Sequence, residues 1–103
     1  MGYSVRITAS AKQDIADTMQ FIELSSTSRA RKWLSGLLVA MDSLQEMPVR
    51  HALMAEASQL RPLRALLYHS HRVIYEIDET AHTVAIVRVY HMARKPLDDQ
   101  GLR

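Results

Sequence analysis

Polar and apolar residues alternate through Ser4, Val5, Arg6, Ile7 and Thr8, the two-residue period of a strand with one face buried. The period then lengthens. Ala11, Ile15, Met19 and Ile22 recur at steps of four and three, which places them on one stripe of a helix running to about Leu24. Ser10 and Gln13 fit a capping box that would start this helix, with Asp14 and Asp17 near its positive end. Residues 25–28 are Ser, Ser, Thr and Ser, side chains that bond their own backbone and so favour a short loop ending in a helix cap. Ala30, Trp33, Leu34, Leu37, Leu38, Met41, Leu44 and Met47 restore the helical period up to Pro48, where a residue without a backbone N–H stops it. Two helices joined so briefly predict an antiparallel hairpin.

Residues 49–62 have no clean period and are read as mostly loop. From Leu63 onward, three short runs rich in β-branched and aromatic residues (63–68, 72–77 and 83–90) are separated by only a few residues, the pattern of an antiparallel meander. In the middle run Val73, Tyr75 and Ile77 are expected to face the helices, with Arg72, Ile74 and Glu76 outward. In the last run strict alternation puts Ala85, Val87 and Val89 on the covered face and Arg88 and Tyr90 on the open one. The prediction is an α+β fold, β-α-α-β-β-β, an antiparallel sheet with an N-terminal helical hairpin on one face, in one domain spanning residues 1–103.

Composition narrows the chemistry. At 103 residues with 48% hydrophobic residues, the chain can bury one core without disulfides or a structural metal. It has no cysteine, which excludes a thiolate nucleophile and a cysteine-ligated zinc site. No apolar run approaches the ~18 residues needed to cross a bilayer, and the first residues lack a signal peptide's apolar core; the expected location is the cytoplasm, with no membrane partner. The three glycines are scattered, so there is no phosphate-cradling loop, and nucleophile elbow and paired carboxylates are also missing. No cofactor is expected. His69 and His71 could offer two arms of a metal site, but spacing suggests no third ligand, and no metal is expected either.

The net charge is only +2, but the cations are unevenly spread. Arg50, Arg61, Arg64 and Arg72 face the single acid Glu56 between Val49 and Tyr75, and Arg88, Tyr90, His91, Arg94 and Lys95 crowd the end of the last strand. Arg72 and Arg88 on adjacent strands would offer planar forks of donors to a phosphate or carboxylate, with Arg64, Arg94 and Lys95 adding charge. His91 is the natural proton carrier. On residue types alone the cluster is equally a solvated strand end.

Four segments together resemble the RelE/ParE superfamily of toxins from type II toxin–antitoxin modules, also called plasmid stabilisation proteins. They are YSVRITASAKQDIADTMQFI, ARKWLSGLLVAMDSLQEMP, LRALLYHSHRVIYEI and TVAIVRVYHMAR. The resemblance implies a bacterial growth-arresting toxin of the β-α-α-β-β-β fold held by a cognate antitoxin with an acidic C-terminal segment. It also implies one of two targets. A ParE-like toxin would inhibit DNA gyrase without being an enzyme. A RelE-like toxin would cleave messenger RNA on the ribosome, with His91, Arg72, Arg94 and Tyr90 as its catalytic set. The chain departs from the RelE pattern: no Tyr, Phe or His follows Arg94, and no Lys lies between Lys32 and Lys95. The ParE-like reading is therefore preferred.

Overall fold

The computed structural model describes residues 2–54 and 61–93. Elements follow the expected order: β1 (Ser4–Ile7), α1 (Ala9–Glu23), α2 (Thr27–Asp42), β2 (Arg64–Tyr68), β3 (His71–Asp78) and β4 (Thr83–His91). Strands β2, β3 and β4 form the predicted antiparallel meander. Strand β1 joins it beside β4 and runs parallel to it, giving the sheet order β1-β4-β3-β2.

Local chemistry explains the boundaries. Thr8, not Ser10, caps α1: its hydroxyl oxygen accepts from the Ala11 N–H at 3.3 Å and the helix starts before the capping-box position. Thr8 is held there by β4, because its N–H bonds the Ile86 carbonyl at 3.0 Å and its hydroxyl donates to that same oxygen at 2.9 Å. Gln13 bonds Asp17 one turn on, at 2.8 Å. Ser26 caps α2 as the serine-rich loop predicts, accepting from Arg29 N–H. The second helix ends at Asp42 rather than Met47. A 3-10 turn, Ser43–Gln45, takes over and still buries Leu44, while Met47 is left exposed in a left-handed conformation.

The main core lies between hairpin and sheet. Ala11, Leu37, Met41 and Leu44 meet Leu66, Val73, Tyr75, Val84, Ile86 and Val89; each large aliphatic side chain buried there contributes roughly 1.5–3 kcal/mol. The inward set Val73, Tyr75 and Ile77 is as expected. The inward set on β4 is not. Ile74 pairs with Arg88 but Tyr75 with Ile86, leaving Val87 as an extra residue. This bulge shifts the alternation by one, so Val84, Ile86 and Val89 face the helices. Ala85 pairs with the outward Glu76, and Val87 packs on the far face with Met54, Leu63 and Ile74. That far face is therefore not simply open: the chain leading into β2 covers part of it with a second, smaller apolar cluster.

Tyr75 shows what burial does to a polar tip. Its side chain is wholly buried and its hydroxyl donates to the Pro48 carbonyl. Burial pushes the phenol up to about 12, although Arg64 and Arg50 pull the other way. A folded value above the ordinary one of about 10 means that the folded state holds the proton longer. Its stabilising contribution is thus complete below pH ~10 and disappears as pH rises toward 12. Alkaline unfolding followed by circular dichroism is expected to steepen in that interval, and Tyr75→Phe should remove the steepening. An unchanged profile in the variant would show that another group sets the alkaline limit.

Candidate functional site

Strand pairing separates the residues that the sequence groups together. Arg72 stands opposite Tyr90, and the next pair is His71 opposite His91. Adjacent pairs face opposite sides of a sheet. Arg72 and Tyr90 therefore lie on the face away from the helices, where Tyr90 packs against the small apolar cluster. His91 lies on the helix side, its ring 4.9 Å from that of His71, which in turn sits edge-on to Trp33 at 5.4 Å. His91 also accepts a hydrogen bond on Nδ1 from the Ala93 N–H at 3.0 Å. Arg94 and Lys95 lie outside the described residues.

Arg88 does not offer a free fork on the open face. Strand β1 ends at Ile7, beside Ile86, so the edge of β4 beyond it is left to α1. There Asp14 takes Arg88 Nε at 2.6 Å and Nη2 at 2.9 Å, and its carboxylate also accepts the Val89 N–H at 2.9 Å. The carboxylate and its hydrogen bond raise the Arg88 guanidinium above its ordinary value. Arg88 still stands over the Tyr90 ring, 5.8 Å from its centre, a cation–π distance. Arg64 is likewise occupied: its Nη1 donates to the carbonyls of Val49 at 3.1 Å and His51 at 2.7 Å, tying the loop after α2 to the start of β2. Arg61 pairs with Glu76 at 2.9 Å, which lowers that carboxyl below its usual range.

The helix side carries a feature that the sequence reading divided among core, loop and strand end. A cavity of about 900 Å³ opens between the hairpin and the β2–β3 turn, lined by residues including Phe21, Ile22, Arg29, Lys32, Trp33, Tyr68 and the histidines 69, 71 and 91. Trp33 and the β2 residue Tyr68 form part of its apolar wall, fixed by the Tyr68 hydroxyl, which donates to the Trp33 carbonyl at 2.7 Å. Trp33 packs on the main core as its helical spacing implied, yet it also borders the cavity. His69 and His71 both reach this cavity, His69 from a turn with φ of 52° and His71 nearly buried. The available signal was the spacing of Arg29, Lys32 and Trp33 on α2, three and four residues apart and hence on one helix face.

Two helices on one side of a four-stranded sheet of order β1-β4-β3-β2 make a fold shared with chains of two toxin–antitoxin structures. The chromosomal ParDE toxin–antitoxin system from P. aeruginosa contains a chain with this fold, with a TM-score of 0.69 at 16% identity over 86% of this chain and 95% of that one. The toxin–antitoxin complex RelBE2 from Mycobacterium tuberculosis contains another, with a TM-score of 0.64 at 24% identity over 88% and 99%. The family described as ParE toxin of type II toxin-antitoxin system, parDE, matches residues 5–96, and the chain belongs to it. It is a type II toxin. None of the curated proteins matches the chain.

Proposed function

We propose that this toxin arrests bacterial growth by inhibiting DNA gyrase in the cytoplasm, and that a cognate antitoxin with an acidic C-terminal segment holds it silent. Membership of the ParE family supports the reading. The geometric observation that carries it is the separation of His91 from Arg72 on opposite faces of the sheet. Cleavage of RNA by its own 2′-hydroxyl needs a proton acceptor and cations gathered around one phosphate. Here the proton carrier and the arginine point away from each other, and Arg88 is held by Asp14. Arg72, on the face away from the helices beside Tyr90, is the residue we assign to contact with the target.

The test is a pair of reactions with purified full-length chain. Gyrase is expected to lose supercoiling activity and to accumulate cleaved DNA, while programmed ribosomes keep their messenger intact. Arg72→Ala should weaken gyrase inhibition by about tenfold, the scale of one lost hydrogen bond to a charged group, without altering the circular dichroism spectrum. Gyrase indifferent to a large excess of toxin, with messenger cut at the ribosome, would overturn the proposal and restore the RelE-like reading.

A further inference from the structure

The chain between α2 and β2 contains a tight turn, Pro48–Arg50, followed by His51. It is entered through Met47, whose φ of 47° is left-handed, a conformation that a residue with a Cβ adopts at a cost. A backbone strained at its entry stays in place only where neighbours hold it. Two side chains of the sheet do so: Tyr75 donates its hydroxyl to the Pro48 carbonyl, and Arg64 donates to the carbonyls of Val49 at 3.1 Å and His51 at 2.7 Å. Arg50 ties the turn back to the 3-10 turn before it, donating to the carbonyls of Glu46 and Met47 and to the Ser43 hydroxyl at 3.0 Å. Every acceptor in this set is neutral, and two guanidinium groups converge on it.

His51 closes this turn. Its ring stands edge-on to Tyr75, 6.2 Å between centres at 88°. Its Nε2 is shut off from water and, among the described residues, has no hydrogen-bond partner. A neutral imidazole tolerates that position, because Nε2 can be the nitrogen without a hydrogen. A protonated one does not: both nitrogens then carry N–H, and a buried donor without an acceptor is costly. The charged and titratable groups around it offer no relief. Arg50 on its own turn and Arg64 from β2 are cations, and Tyr75 from β3 keeps its proton, the phenol being pushed up to about 12. The Glu46 carboxylate lies beside Gly2, where a Cβ would meet it at 3.4 Å. Burial, and then the Arg50 charge, hold the His51 imidazole below its ordinary range, which is about 6.5. The folded state therefore resists the proton: the stabilisation that neutral His51 gives the turn is complete above pH ~6.5 and is lost as pH falls through the lower folded value.

We propose that His51 is an acid-sensitive latch: its neutral ring keeps residues 48–54 closed against β2 and β3, and its protonation releases them. The next residues show what the latch holds. Leu53 bridges to Arg64, and the Met54 N–H bonds the Leu63 carbonyl at 2.7 Å. Met54 is buried in the small cluster with Leu63, Ile74 and Val87 on which Tyr90 packs. Release therefore uncovers part of the face away from the helices, where Arg72 stands opposite Tyr90. If that face meets gyrase, inhibition weakens in acid; the latch itself does not rest on the gyrase reading, and its test needs no target.

The experiment compares the full chain with His51→Phe, which keeps an edge-on ring that takes no proton, and with His51→Gln, a neutral side chain of smaller girth that serves if the phenylalanine does not fit. Amide hydrogen exchange is followed by NMR between about pH 7.5 and about pH 5, with rates corrected for the intrinsic effect of pH. In the unmodified chain the protection of the Met54 amide is expected to fall about tenfold, the equilibrium effect of one buried N–H left without an acceptor. The fall should follow the titration of the His51 ring signal, while the Leu37 amide in the middle of α2 keeps its protection. The variants should hold Met54 protection level across the range. His69, His71, His82 and His91 remain in every protein, so a fall of the same size in the variants assigns the acid response to one of them and overturns the inference. Protection that stays level in the unmodified chain overturns it because nothing opens. A fall shared equally by Met54 and Leu37 overturns it as well, because the whole domain is then unfolding.

Discussion

Asp14→Ala is expected to lower the unfolding free energy by about 2–4 kcal/mol, far more than the loss of a surface ion pair. The side chains of Arg88 and Asp14 are only 19% and 11% exposed, so removing the carboxylate strands a guanidinium that water reaches poorly. It also deprives the Val89 N–H of its acceptor, and an unsatisfied backbone donor is itself costly. For a domain of this length the loss corresponds to a fall in Tm of roughly 10–25 °C. Arg88→Ala should cost less, because Asp14 still receives the Val89 N–H. The double variant should be close to Asp14→Ala alone, a non-additivity read by denaturant titration of all four proteins. Equal and additive losses would mean that the backbone bond contributes nothing.

That pair also shows where sequence reasoning succeeded and stopped. Helix stripes and strand runs are repeated signals, each spread over many residues, and the elements built on them stand within a few residues of the expected positions. The faces of β3 were legible for the same reason: Val73, Tyr75 and Ile77 alternate without interruption. A bulge is one residue long. Val87 is apolar between apolar neighbours, and nothing in residues 83–90 marks it as the extra residue. The neighbouring Arg88 side chain and Val89 N–H are held by Asp14, which looks from the sequence like an ordinary acid near a helix start. With the extra residue in place, Val84 and Ile86 rather than Ala85 and Val87 face the core, while Val89 faces it as expected.

The candidate site was legible in composition but not in geometry. Five polar or charged residues close together at a strand end suggest one cluster, yet a strand deals successive side chains to opposite sides. Tyr90 and His91 are neighbours in sequence and belong to different surfaces. Whether an arginine is available also depends on remote acceptors. Arg64 is claimed by two carbonyls from the loop after α2 and Arg88 by α1, and neither partner is near in sequence. Arg29 and Lys32 look from the sequence like ordinary helix-surface cations. Their significance comes from what α1 and the β2–β3 turn build beside them.

Gly36→Ala should destabilise the protein by about 1–2 kcal/mol, although alanine in place of a helical glycine ordinarily stabilises by about 1 kcal/mol. A Cβ on Gly36 would land on the Tyr68 hydroxyl and stand 3.2 Å from its Cζ. The phenol cannot stay where it donates to the Trp33 carbonyl. Its displacement sacrifices a hydrogen bond of about 1 kcal/mol and forces the ring out of a packed position, a penalty of about 1–3 kcal/mol. The sign is the test. With Tyr68→Ala as the starting protein the obstruction is gone, and Gly36→Ala should then raise stability by about 0.5–1 kcal/mol. Because Trp33 and Tyr68 form one wall of the cavity, Gly36→Ala in the otherwise unchanged chain should also alter Trp33 fluorescence. Destabilisation in both backgrounds would place the strain elsewhere along α2. A reversal of sign would show that the missing side chain at Gly36 is what lets the β2 tyrosine reach the helix backbone and set the shape of the cavity.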